Sequence, residues 1–199
     1  PSPANVLSDK LPWDPPQIDE NLLTDEMFAQ MQTAGAEVID LRAGFAAAEA
    51  ENQQIYYRTD HHWTTTGGAF MAYEAFCEAN GLTAVQPDPA LLVHVPDFYG
   101  TNYAKTKRVG TKPDVLDYYD LPNDMEIHAL NSAGEVETET TGLMDLPKLD
   151  EYDKYAAFLY GNNGYSVIEG NGEGSILVVK DSYGNSFVPY LVENYATIG

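Results

Sequence analysis

After a proline-rich opening, the first eighty residues alternate amphipathic stretches with short apolar runs. Residues 24–33 carry a helical pattern with Thr24 as N-cap, Asp25 and Glu26 in the first turn, and Gly35 as terminator. Ala36-Glu-Val-Ile-Asp-Leu41 reads as a short buried strand and residues 43–53 as a second helix. Residues 55–58 read as a strand, and residues 66–80 as a third helix entered through Thr64-Thr-Thr66. This rhythm predicts an α/β fold.

The pattern changes between residues 82 and 147, which are rich in Pro, Gly and Asp. Only short strands are expected there: residues 91–95, and a hairpin pairing 126–130 with 135–140 across Asn131-Ser-Ala-Gly134. The segment reads as a small β-rich insertion over one end of the sheet, where substrate-shaping loops commonly lie. Residues 148–160 then place Leu149, Tyr152, Tyr155, Ala156 and Leu159 on one helical side. Residues 165–170 and 175–179, separated by Asn171-Gly172, read as a hairpin or adjacent strand pair. Residues 187–195 fit either state, because Pro189 is tolerated only in a first helical turn. Pro1, Pro3, Pro12, Pro15 and Pro16 make residues 1–16 an extended arm, pinned by Trp13. Residues 17–199 form one domain.

Charge and cysteine usage narrow the function. A formal net charge of −21 argues against nucleic acid, which would need a basic footprint. Four of the ten basic residues, Lys105, Lys107, Arg108 and Lys112, fall within one short stretch. They either face an anionic polymer or form a solvated loop that neutralises nearby acids. No segment has the roughly 18 consecutive apolar residues a membrane span needs, so no direct membrane insertion is expected. The single Cys77 cannot form an internal disulfide, and it shares a helical face with Ala69, Tyr73 and Phe76, which points to core packing. Neither end resembles a natural terminus, and the native chain is expected to extend beyond both.

The candidate chemistry begins at Asp60-His61-His62-Trp63. In an extended segment Asp60 and His62 share one face, so the carboxylate can orient the imidazole as a general base while His61 points away. A nucleophile is expected at Ser182, where the apolar run ending at Asp181 delivers a serine into a turn. Oxyanion donors are sought after the serine, around Tyr183 and Gly184, and in Gly161-Asn162-Asn163-Gly164. A structural reading competes at each place: a buried hydrogen-bonded Asp–His pair, a capping serine, and turn-forming Gly and Asn. No metal site is expected from His61, His62, His94 and His128, since adjacent strand histidines diverge and no helical His-x-x-x-His spacing occurs. No cofactor is expected.

Tyr57-Arg-Thr-Asp60-His61-His62-Trp63-Thr64 and Val179-Lys-Asp181-Ser182-Tyr-Gly-Asn-Ser-Phe-Val-Pro189 resemble the bacterial DHHW protein family, as do residues 98–105 and 155–162. DHHW proteins are similar to the alginate O-acetylation proteins. The resemblance implies an SGNH-hydrolase-like (flavodoxin-like) fold with a central parallel sheet flanked by helices. It also implies Asp60 as orienting acid, His62 as base and Ser182 as nucleophile. Lys180 departs from the glycine of the SGNH serine block, and the oxyanion asparagine is either Asn162 or Asn163. The expectation is an exported or cell-envelope serine O-acetyltransferase or acetylesterase acting on polysaccharide. Its partners would be a carbohydrate polymer or acyl donor, with a membrane acyltransferase as a further candidate. The alternative is a non-catalytic surface glycan-binding or scaffold protein of degenerate SGNH-like fold, whose fourteen tyrosines and two tryptophans would supply stacking platforms.

Overall fold

The computed structural model describes residues 1–7, 10, 19–131 and 134–199. Helix α1 (Pro3–Val6) is a single turn capped by Ser2, placed where the proline content predicts an extended arm. Trp13 lies outside the described residues, as do the remaining predicted arm residues 8, 9, 11, 12 and 14–16. Helix α2 spans Glu20–Thr33, starting four residues before the predicted start because Asp19 accepts from the Asn21 and Leu22 amides. Gly35, at φ 92°, closes it as expected. Residues 36–41 form no ladder, which corrects the strand expected there. Helix α3 (Arg42–Ala50) follows.

A wide π-type turn, Thr65–Ala69, leads into α4 (Phe70–Ala79), whose Ala72, Tyr73 and Cys77 face the core. Thr64 Oγ1 donates to Gln54 O at 2.7 Å, so it ties the preceding loop together and leaves the helix without a side-chain cap. Strand β1 (Leu92–Phe98) pairs antiparallel with β2 (Asp114–Tyr119), and α5 (Thr101–Thr106) lies between them in sequence. Strands β3 (Met125–Asn131) and β4 (Gly134–Thr140) make the expected hairpin.

Residues 148–160 correct a second expectation. The apolar spacing is helical, yet the chain makes two separate 3₁₀ turns, Leu146–Asp150 and Lys154–Ala157, and then enters a left-handed stretch at Leu159, Tyr160 and Gly161. Strands β5 (Tyr165–Glu169), β6 (Ser175–Ile176) and β7 (Thr197–Ile198) complete a sheet of order β4-β3-β5-β7-β6. Among the described residues only β6–β7 is parallel, so a central parallel sheet is not what forms; the α/β class holds, with a mostly antiparallel sheet. β7 separates β5 from β6, and β3 of the expected insertion is integral to the sheet through β5. The short helix α6 (Gly184–Phe187) and a 3₁₀ turn, Val188–Glu193, with Pro189 in its opening turn, connect β6 to β7.

Among the described residues the core has two parts. A larger cluster gathers Phe45, Ile55, Trp63, Tyr73, Cys77, Tyr190 and Leu191. A smaller one gathers Tyr57, Phe98, Leu116, Tyr118, Tyr155 and Phe158. Consecutive residues Tyr56 and Tyr57 enter different clusters, so the loop that follows them lies at the seam.

Candidate active site

The seam loop is a turn. Residues 58–62 are a run of bends, closed by the Tyr57 N–H donating to His62 O at 3.1 Å and by a single bridge between Tyr56 and Trp63. Asp114 fastens its start: Oδ2 accepts from the Thr59 N–H at 2.8 Å and Thr59 Oγ1 at 2.7 Å, and Oδ1 accepts from Arg58 Nε at 3.1 Å. Asp60 Oδ1 then accepts from the His62 N–H at 2.9 Å and lies 2.5 Å from His62 Nδ1. Asp60 and His62 therefore meet through an Asx-type turn, where the strand reading expected a shared face.

That geometry corrects the reading of His61. Bends do not alternate faces as strands do, and the His61 ring lies 3.9 Å from the His62 ring, centre to centre. Burial and the neighbouring His62 push the His61 imidazole below its usual range, partly offset by Asp60. His61 Nδ1 is 2.6 Å from Thr101 Oγ1.

Thr101, at the start of α5, is the site residue that local sequence reading missed. Its N–H donates to Asp60 Oδ2 at 2.7 Å and its hydroxyl lies 3.2 Å from the same oxygen. A side chain at Gly100 would place Cβ 2.2 Å from the Asp60 side chain, so only glycine permits this approach. Asp60 is 2 % exposed, and burial alone would raise its carboxyl. The hydrogen bonds from the His62 ring, the Thr101 amide and the His62 amide outweigh burial and hold it well below the usual carboxylate range.

Ser182 reaches this pair from 120 residues away: its Oγ is 2.8 Å from His62 Nε2. Trp63 secures the junction, with Nε1 donating to Tyr183 O at 3.1 Å and to Ser186 Oγ at 2.9 Å. The Tyr183 hydroxyl donates to His61 O. Tyr155 stacks on His62, its ring nearly parallel to the imidazole.

Gly161, Asn162, Asn163 and Ser182 line one cleft of about 620 Å³. Tyr183 does not line it, and its N–H is engaged by Asp181 Oδ1 at 2.9 Å. The two asparagines are also distinguishable. Asn163 Nδ2 donates to Leu159 O at 2.8 Å. Lys180 Nζ, which can only donate, contacts Asn185 Oδ1; this turns Asn185 Nδ2 toward Asn162 Oδ1 at 3.1 Å. Asn162 Nδ2 is thereby the donor left on the side away from Asn185.

Among the described residues, Asp60, His61 and His62 are the one group whose potential metal-ligating atoms cluster. His94 pairs instead with Asp117 at 2.7 Å and His128 stands beside Tyr165, so the four histidines do not converge. Both His62 nitrogens face hydrogen-bond partners, an arrangement suited to moving a proton between Ser182 and the imidazole.

A search of curated proteins finds no match. Among solved structures, the chain is similar to a DHHW family protein from Eubacterium siraeum DSM 15702, at 25 % identity and TM-score 0.59, covering 80 % of this chain and 54 % of that one. It is also similar to the O-acetyltransferase domain of Pseudomonas putida AlgJ, at 26 % identity and TM-score 0.45, covering 58 % and 44 % respectively. The chain thus spans about half the length of the solved structures it matches. The family model for DHHW proteins matches residues 39–199, which include the loop, Thr101, Tyr155 and Ser182, and the chain belongs to the DHHW protein family.

Proposed function

We propose that this domain transfers an acyl group by a Ser-His-Asp mechanism, as an O-acetyltransferase or acetylesterase on exported or envelope polysaccharide. The observation that carries the reading is the unbroken line from Asp60 Oδ1 to His62 Nδ1, at 2.5 Å, and from His62 Nε2 to Ser182 Oγ, at 2.8 Å. In the reaction, Ser182 Oγ attacks the ester carbonyl while its proton passes to His62 Nε2. Asp60 holds Nδ1–H and balances the imidazolium. The oxyanion forms in the cleft shared with Asn162, whose Oδ1 is the atom that meets Asn185, so its Nδ2 is assigned as the side-chain donor. Collapse expels the donor alkoxide, which takes the proton from His62 and leaves an acyl-enzyme. A sugar hydroxyl or water then attacks the acyl carbon as its proton passes to His62, and the acyl–Oγ bond breaks as His62 returns that proton to Ser182 Oγ. The sugar acceptor is supported by the sequence resemblance to the alginate O-acetylation proteins. A soluble acyl donor or a membrane acyltransferase would supply the acyl group.

The test is active-site labelling with a fluorophosphonate, together with turnover of 4-nitrophenyl acetate. The wild-type chain should label at Ser182 and release nitrophenolate, and Ser182→Ala should do neither. Absence of wild-type labelling across the pH range in which the protein is folded, or equal labelling of Ser182→Ala, would favour a binding module.

A further inference from the structure

A second cleft, of about 500 Å³, opens between the loop at Arg58-Thr59 and the segment that follows α5. Its walls include Arg58, Arg108 and Lys112, together with Asn102, Tyr103 and Thr106. Among the described residues no carboxylate lines it, in a chain with 31 acidic and 10 basic residues. If the basic stretch existed to neutralise nearby acids, its members would be paired. Among the described residues, Lys105, Arg108 and Lys112 form no ion pair, while Lys10, Arg42, Arg58 and Lys148 all do. Lys107 is committed differently, over the rings of Tyr103 and Tyr152 at 5.4 and 4.9 Å. Three of the four cations in this stretch are thus left without an ion pair among the described residues.

The cleft adjoins the active-site loop through α5. The first residue of that helix, Thr101, bonds Asp60, and the six-residue helix is only about 9 Å long before the cleft-lining stretch begins. The Tyr103 N–H donates to Thr59 O at 3.0 Å, so the two walls are joined next to Asp60. Lys105, in the same helix, adds its charge to the burial and the His62 ring that disfavour the His61 imidazolium.

We propose that this cleft is a binding subsite for an acidic saccharide, with a sugar carboxylate or phosphodiester held by Arg108 and Lys112. Arg58 completes the cationic wall, its guanidinium anchored on one edge by Asp114. Asn102, Thr106 and Tyr103 supply the amide, hydroxyl and ring surface that sugar hydroxyls and faces require. As a substrate subsite the proposal rests on the acyl-transfer reading of Ser182; as a binding site it does not.

Affinity electrophoresis through gels containing polygalacturonate, a poly(glycerol phosphate) polymer or neutral dextran separates the outcomes. The wild-type chain should be retarded by an acidic polymer and not by dextran, and retardation should weaken as salt rises from about 20 to 200 mM. Arg108→Ala/Lys112→Ala should weaken retardation roughly tenfold, the loss expected for about two solvent-exposed ion pairs. Lys10→Ala/Lys148→Ala, which removes the same charge elsewhere, should not. Preference for one polymer identifies carboxylate or phosphodiester as the recognised group. Absence of retardation by both, or equal loss in the two double variants, overturns the proposal. Ser182→Ala should bind as wild type, and Arg108→Ala/Lys112→Ala should still label with fluorophosphonate, so failure of the glycan site and failure of the acyl-transfer reading give different results.

Discussion

The ring of Tyr155 lies flat against that of His62, with centroids 3.7 Å apart and planes 5° from parallel, and its hydroxyl donates to Ser182 O at 3.1 Å. One buried side chain thus contacts both the imidazole and the backbone of the serine. Burial raises the Tyr155 phenol well above its usual range, so it remains a donor. Tyr155→Phe should retain the stack and lower fluorophosphonate labelling of Ser182 several-fold, with a small change in melting temperature. Tyr155→Ala should cost about 3–5 kcal/mol of stability through the cavity left in the smaller core cluster, read by urea denaturation.

Gly100 and Thr101 position Asp60. Gly100→Ala drives Cβ into the carboxylate and should lower the labelling rate by about tenfold or more, since small misplacements near reacting groups are costly. Thr101→Ser keeps both contacts and should label as wild type. Thr101→Val keeps only the amide contact and should fall between them. Equal labelling of Gly100→Ala and wild type would show that Asp60 does not orient His62 during the reaction.

The donor relay Lys180–Asn185–Asn162 makes a prediction that composition would not suggest. Asn162→Ala should lower turnover of 4-nitrophenyl acetate by about 10²–10³, the usual cost of an oxyanion donor, while Asn163→Ala should have a much smaller effect. Lys180→Met releases Asn185 to rotate and should reproduce part of the Asn162→Ala loss without touching the substrate.

Asp60 also ties stability to pH. Its folded carboxyl titrates below its unfolded value of about 3.9, so between the two values the unfolded chain binds the extra proton. The contribution of Asp60 is complete above about pH 4 and disappears as pH falls through the folded value. Denaturation measured between pH 2.5 and 6 should show the wild type losing stability toward the acid end more steeply than Asp60→Asn. Parallel slopes would mean that other carboxylates dominate.

The site was more legible in the sequence than the fold. Asp60, His62 and Ser182 come together as their residue types suggest, although the first two meet through a turn and not through a strand face. The same mistaken geometry sent His61 the wrong way. Gly100 and Thr101 carry no local signal, because their meaning depends on a carboxylate 41 residues away in sequence. The spacing of Leu149, Tyr152, Tyr155, Ala156 and Leu159 is helical, yet Tyr155 is drawn to His62 and the next residues turn left-handed, so tertiary contacts override the period. Strand order was not readable at all: β6 and β7 are two residues each, and nothing in their composition says that β7 inserts between β5 and β6.

The 120-residue span between His62 and Ser182 has a kinetic meaning as well. Closing a loop of that length is entropically unfavourable until other contacts have already shortened it. The hydrogen bond between them is thus expected to form late as the chain collapses. Reactivity at Ser182 would then report completed folding, where far-ultraviolet circular dichroism also records helices and hairpins that can assemble earlier. In a refolding experiment the serine would gain its reactivity after the ellipticity has recovered.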